Sequence, residues 1–107
     1  MPSIILLRGG GDLATGIAVR LLRAGVRIAV TEIEQPLTVR RTVAFAEAVY
    51  AGETTVEGFT AHRLADPTDM LSVLGIFGRQ QVPVLIDPDC ESAKTLRPVV
   101  IIDARMN

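Results

Sequence analysis

The sequence predicts an α/β fold, a mostly parallel sheet with helices on both faces, on three observations. The run Ile4 to Leu7 is apolar and too short for a helix, Gly9-Gly10-Gly11 breaks it, and helix-spaced apolar residues follow at once. A second apolar-rich segment, Val26 to Val30, comes after so short a connection that strand, helix and strand must form a parallel crossover unit. Two further strand-like runs, Val82 to Ile86 and Val99 to Asp103, lie beyond helical segments, and little chain follows the last of them. The second half of the fold is therefore expected to be abbreviated.

Each element has a local reason. After the glycines, Leu13, Ile17, Leu21 and Ala14, Ala18, Leu22 form two rows at spacings of four, the stripe of an amphipathic helix, with Arg20 and Arg23 on the other face. Asp12 is placed to cap this helix through a first-turn N–H, and Gly25 suits the left-handed residue that ends it. Pro36 opens a second helical segment, Leu37 to Tyr50, with Val39, Val43, Ala46 and Tyr50 at helical spacing and Gly52 as its stop. From Glu53 to Leu64, β-branched residues on both sides of Glu57-Gly58 read as a hairpin. Asp66 as cap and Pro67 at the first helical position start a short helix that stops near Gly75 or Gly78. Glu91 to Leu96 allows no more than a turn or two of helix.

The strand-to-helix turn carries the chemistry. Gly9, Gly11 and Ala14 fit the G-x-G-x-x-G/A spacing of Rossmann-like dinucleotide-binding folds. In that pattern the first glycine makes the turn, the second lets a pyrophosphate approach the backbone, and the third small residue lets helix and strand pack closely. The helix N-terminus then offers free N–H groups to an anion. The candidate ligand residues are Gly9, Gly10, Gly11, Asp12 and Ala14, in the turn from Gly9 to Gly16, with Arg8, Glu32 and Arg40 outside it. Glu32 lies 21 residues after Gly11, near the spacing at which an acidic residue meets a ribose hydroxyl. Such a carboxylate favours NAD over NADP, whose 2′-phosphate it would repel, although another nucleotide stays open. Arg8 and Arg40, with Arg41 beside it, are candidates for pairing a phosphate, against the plainer alternative of surface ion pairs. Asp12 counts against an anion unless its carboxylate turns into its own helix. No Gly-Lys-Ser/Thr follows the glycines, which counts against a P-loop.

Composition narrows the rest. The 107 residues suffice for one domain, 1–107, and 49% hydrophobic content with a net charge of −1 excludes a disordered chain. Near-neutral charge gives no general attraction to nucleic acid or to an anionic membrane, and 4% aromatic residues provide no base-stacking platform. The sequence shows no secretory leader and no apolar run near the roughly 20 residues of a membrane helix. The single cysteine, Cys90, cannot form an internal disulfide, so a reducing, cytoplasmic setting is expected. Asp87, Asp89, Cys90 and Glu91 match no metal-ligand spacing, and His62 has no partner visible in the sequence, so neither a metal site nor a catalytic residue is assigned. Asp103, at the end of the last strand, could face a ligand crevice.

Four blocks carry a resemblance: 8–16 (RGGGDLATG), 31–37 (TEIEQPL), 40–50 (RRTVAFAEAVY) and 103–106 (DARM). Together they are similar to the YqeB-type family of accessory proteins of the selenium-dependent molybdenum hydroxylase system, itself distantly like the accessory proteins that mature xanthine dehydrogenases. The likeness covers nearly the whole chain. It implies a maturation role, with a molybdenum hydroxylase or its cofactor as partner, and an N-terminal domain of a longer protein. A chain that completes its sheet with a partner, a second copy included, is the other expectation. A scaffold domain that keeps the fold without a ligand, and an NAD-dependent oxidoreductase, are the rival functions; the second lacks a complete acid-base set.

Overall fold

The computed structural model describes residues 3–36 and 44–105. Among them lie strands β1 (Ile4–Arg8), β2 (Arg27–Glu32), β3 (Glu53–Val56), β4 (Phe59–Leu64), β5 (Val82–Ile86) and β6 (Val100–Asp103). The helices are α1 (Asp12–Arg23), α2 (Ala48–Ala51), α3 (Met70–Gly78) and α4 (Ala93–Leu96), and a 3₁₀ turn over Phe45–Glu47 leads into α2. The strands form one sheet in the order β3-β4-β5-β2-β1-β6, parallel throughout except for the β3-β4 hairpin. The fold is the expected Rossmann-like α/β sheet.

Both faces of this sheet are buried, so the inner strands are apolar at successive positions. Leu7, Ile28, Val30, Val82 and Val84 point to one side, under α1, the 3₁₀ turn and α2. Leu6, Ala29 and Leu85 point to the other, under Val73 and Phe77 of α3 and Leu96 of α4. Phe45 is fully buried in the first cluster. Burying a ring of that size contributes about 1.5–3 kcal/mol.

Helix α1 lies on the sheet through Ala14, Thr15, Ala18 and Val19 rather than through both predicted rows. Leu13 is 76% exposed and Ile17 is 42% exposed, because the short Gly9–Gly11 turn brings the helix axis close to the strands and only small side chains fit beneath it. The larger Leu21 and Leu22 reach the core from the flank. Gly25, at φ +86, ends α1 as expected, with its N–H donating to the Leu22 carbonyl and that of Val26 to the Leu21 carbonyl. This pair of bonds is a Schellman motif.

Three other elements depart in detail. Of the predicted segment Leu37 to Tyr50, residues 37–43 lie outside the described residues; the remainder buries Phe45, Ala48 and Val49, while Tyr50 stays 46% exposed with its hydroxyl donating to the Pro36 carbonyl at 2.8 Å. Helix α3 begins at Met70 and its cap is Asp69, which accepts from the Ser72 N–H. Asp66 instead accepts from the N–H and hydroxyl of Thr68, a local turn that keeps Pro67 outside the helix. The hairpin stands as predicted, with Glu57 at φ +53 and Gly58 at φ +84, the two positive angles of a type I′ turn.

The sheet order places the site. From β1 the neighbours lie on opposite sides, β2 reached directly through α1 and β6 reached last. That is a topological switch point, and in open parallel sheets the crevice beyond the strand C-termini at such a point is where ligands bind.

Candidate functional site

The glycine turn is built from three residues with different duties. Gly9 has φ +101, its N–H donates to the Thr31 carbonyl at 2.8 Å, and a Cβ there would lie 3.0 Å from the Ala104 carbonyl oxygen. At Gly10 a Cβ would lie 3.0 Å from Val30 Cγ1 and 3.1 Å from the Ala46 nitrogen. Both are therefore glycine for internal reasons, a left-handed backbone in one case and close packing in the other. Gly11 differs. It is the N-cap of α1 at φ −67, and a Cβ built on it would meet nothing within 4 Å. The chain's own packing does not require glycine there, and this is the position that the dinucleotide pattern leaves open for pyrophosphate. Ala14, the third position of that pattern, is 1% exposed between helix and strand. Gly16, at the far end of the stretch, also faces open space.

Glu32 ends β2 and reaches this turn. Its Oε2 accepts from the Gly10 N–H at 2.7 Å, and its Oε1 accepts from the Ile33 N–H at 3.1 Å. The residue picked out by its spacing is thus joined to the glycines. Asp12 is the first residue of α1 rather than its cap, since Gly11 takes the N-cap position; its Oδ1 still accepts from a first-turn donor, the Leu13 N–H, at 3.1 Å. Its carboxylate is turned toward its own helix.

Thr15 holds the turn from below, and nothing in the sequence reading singled it out. The side chain is buried; its hydroxyl donates to the Gly11 carbonyl at 2.8 Å and accepts from the Phe45 N–H at 2.9 Å. The Gly10 carbonyl in turn accepts from the Ala46 N–H at 2.8 Å. Two residues of the turn are thereby locked to the 3₁₀ segment. The available signal was a hydroxyl inside the apolar face of a helix, where a buried polar group needs partners.

Arg8 ends β1 beside Gly9. Its guanidinium donates to the Pro88 carbonyl at 3.0 Å, and it forms no ion pair among the described residues. The buried Nε of Arg8 has no hydrogen-bond partner among the described residues. Asp103 and Arg105, which follow from β6, form a two-point pair of 2.8 and 2.6 Å. The guanidinium holds the Asp103 carboxyl well below the usual carboxylate range. Arg40 and Arg41 lie outside the described residues.

The loop after β5 closes this side of the crevice. Asp87, 5% exposed, accepts from the Glu91 N–H at 3.0 Å and the Ser92 N–H at 2.8 Å, so both its oxygens are spent on the loop itself. Burial pushes the Cys90 thiol up against the opposing pull of Arg8, and Asp87 adds a smaller push in the same direction. A raised thiol is a poor nucleophile, and desolvation is the larger cause here. His62 lies at the opposite edge of the sheet, across the hairpin from Glu53 at 3.9 Å.

Over 101 residues the chain is 44% identical to YqeB of Escherichia coli (strain K12), an uncharacterized protein. The chain is similar to YqeB along nearly all of its length. The alignment covers 94% of this chain but 18% of YqeB, so the chain spans about a fifth of the relative it matches. The likeness supports a relation to YqeB-type proteins. No family model matches the chain, and no solved structure matches it. No helix among the described residues is long and apolar enough to cross a membrane.

Proposed function

We propose that this chain is the N-terminal, nucleotide-binding domain of a longer YqeB-type accessory protein that acts in the cytoplasm in the maturation of a selenium-dependent molybdenum hydroxylase. It holds a dinucleotide or another phosphate-bearing ligand at the turn from Gly9 to Gly16. The observation that carries this reading is the contrast within the turn: Gly9 and Gly10 are needed by the fold, whereas Gly11 opens onto space at the N-terminus of α1. Phosphate at that point meets the N–H groups of the first helical turn, of which that of Leu13 already has the Asp12 carboxylate, and the positive end of the helix dipole. Arg8, without a carboxylate partner among the described residues, adds a cation at the same strand end. Glu32 faces the ribose hydroxyls and disfavours a 2′-phosphate, so NAD is preferred over NADP. The partner in this reading is the hydroxylase or its molybdenum cofactor.

A second reading, a scaffold domain without ligand, is favoured by one observation: Glu32 already satisfies the Gly10 N–H with the chain's own carboxylate. The two separate by thermal unfolding in the presence of NAD, NADP, ATP, CTP and molybdopterin nucleotides. A ligand at 100 times its dissociation constant adds about 2.7 kcal/mol, a rise of roughly 10 °C for a domain of this size. Such a rise supports the first reading. A flat response to all of them, with the hydroxylase co-purifying, supports the second.

A further inference from the structure

A cavity of about 390 Å³ opens at the other end of the sheet, where β2, β4 and β5 begin and where α1 and α3 end. That volume is within the range of small-molecule sites. We propose that it binds a small aromatic carboxylate, at a site separate from the glycine turn. Its walls are mixed, with Leu22, Val26 and Phe59 supplying apolar surface and arginine and glutamine side chains supplying polar surface. Among the described residues its ionisable lining consists of Arg23 and Arg27, with no aspartate or glutamate. An anion is the complementary ligand.

The two arginines are not equivalent. Arg23 is engaged with Glu57 at 3.1 Å on the exposed surface. Arg27 has no carboxylate partner among the described residues; its guanidinium lies over the Phe77 ring, 5.5 Å from the centroid. This cation–π contact restrains the guanidinium without using a carboxylate, and a guanidinium fork binds a carboxylate at two points. The half-buried ring of Phe59 suits a flat apolar body attached to that carboxylate, while Phe77, 4% exposed, serves to seat Arg27. Gln81, at the start of β5, adds a neutral amide to the rim. Arg27 begins β2 and Glu32 ends it. At about 3.3 Å per residue, one rigid strand holds this cavity about 17 Å from the glycine turn.

The test is a titration of the ¹⁵N-labelled chain with naphthoate and, separately, with its neutral amide, naphthamide. Saturable shifts at the amides of Val26, Arg27, Gly78 and Gln81, with naphthoate binding about tenfold or more tighter than naphthamide, are expected. Arg27→Gln should bring the two affinities together while the rest of the spectrum stays in place. Should that variant misfold, the acid-to-amide ratio on the native chain decides the matter. Equal affinities for acid and amide, shifts centred on Gly9 to Gly11, or no saturable shift would each overturn the proposal.

Discussion

Glu32 Oε2 accepts from the Gly10 backbone N–H at 2.7 Å, tying the end of the second strand to the turn that follows the first. An empty turn of this kind leaves a partly buried donor without a partner, and here the fold supplies one. In the proposed nucleotide-bound state the same carboxylate would meet a ribose. Removing it with Glu32→Ala strands the Gly10 N–H and is predicted to cost about 1–3 kcal/mol. Glu32→Gln keeps an acceptor and should cost about 1 kcal/mol or less. Urea unfolding of the three chains checks the order, and the alanine variant should lose the preference for NAD over NADP.

Thr15 is expected to matter more than a helix threonine ordinarily does. Thr15→Val preserves shape but leaves the Phe45 N–H and the Gly11 carbonyl without their side-chain partner. A loss of about 1–3 kcal/mol follows in chemical unfolding. Thr15→Ser, which keeps the hydroxyl, should lose less than half of that.

Cys90 gives a pH dependence whose sign is fixed by burial. Its thiol is raised, so the thiolate forms at higher pH in the folded chain than in the unfolded one. The contribution of this group to stability is present below the unfolded value of about 8.5 and is lost as pH rises through the folded one. Iodoacetamide alkylation at about pH 8 should therefore be several-fold slower in the native chain than in the chain unfolded in urea. Equal rates would contradict the assignment.

The two edges of the sheet differ in kind. At β3 the edge carries Glu53, Thr54 and Thr55, whereas at β6 Val100 and Ile101 are 47% and 49% exposed and Val99 beside them is 63% exposed. An apolar edge strand with unpaired backbone invites another strand. Sedimentation at rising concentration is predicted to show self-association of the chain, and Ile101→Lys to suppress it without lowering the melting temperature by more than a few degrees.

Much of this architecture was legible because its causes are local. Glu57-Gly58 between β-branched residues could only be a tight hairpin turn, and Val82 to Ile86 showed the unbroken apolar run of a strand buried on both faces. The glycine turn and Glu32 were legible for the same reason, since spacing along one crossover unit becomes proximity in space. What escaped depends on partners distant in sequence. The outward row Leu13 and Ile17 has the same spacing as the buried row, and only the closeness of the sheet decides between them. Asp66 and Asp69 are chemically identical as caps, and Ser72 decided for the second. The bond from Phe45 to Thr15 spans 30 residues, and nothing local to either end announces it.

The central claim, that the turn receives phosphate above Gly11, is tested most directly by calorimetric titration of NAD into the native chain and into Gly11→Val. A Cβ at Gly11 meets no atom within 4 Å beyond its chain neighbours, so the variant should keep its fold, with a stability change of about 1 kcal/mol or less. Saturable binding to the native chain that weakens by about 100-fold or more in the variant, a difference of about 2.7 kcal/mol, is the predicted result. Equal affinity in the two chains, or no binding of NAD, ATP or CTP to the native chain, would contradict it.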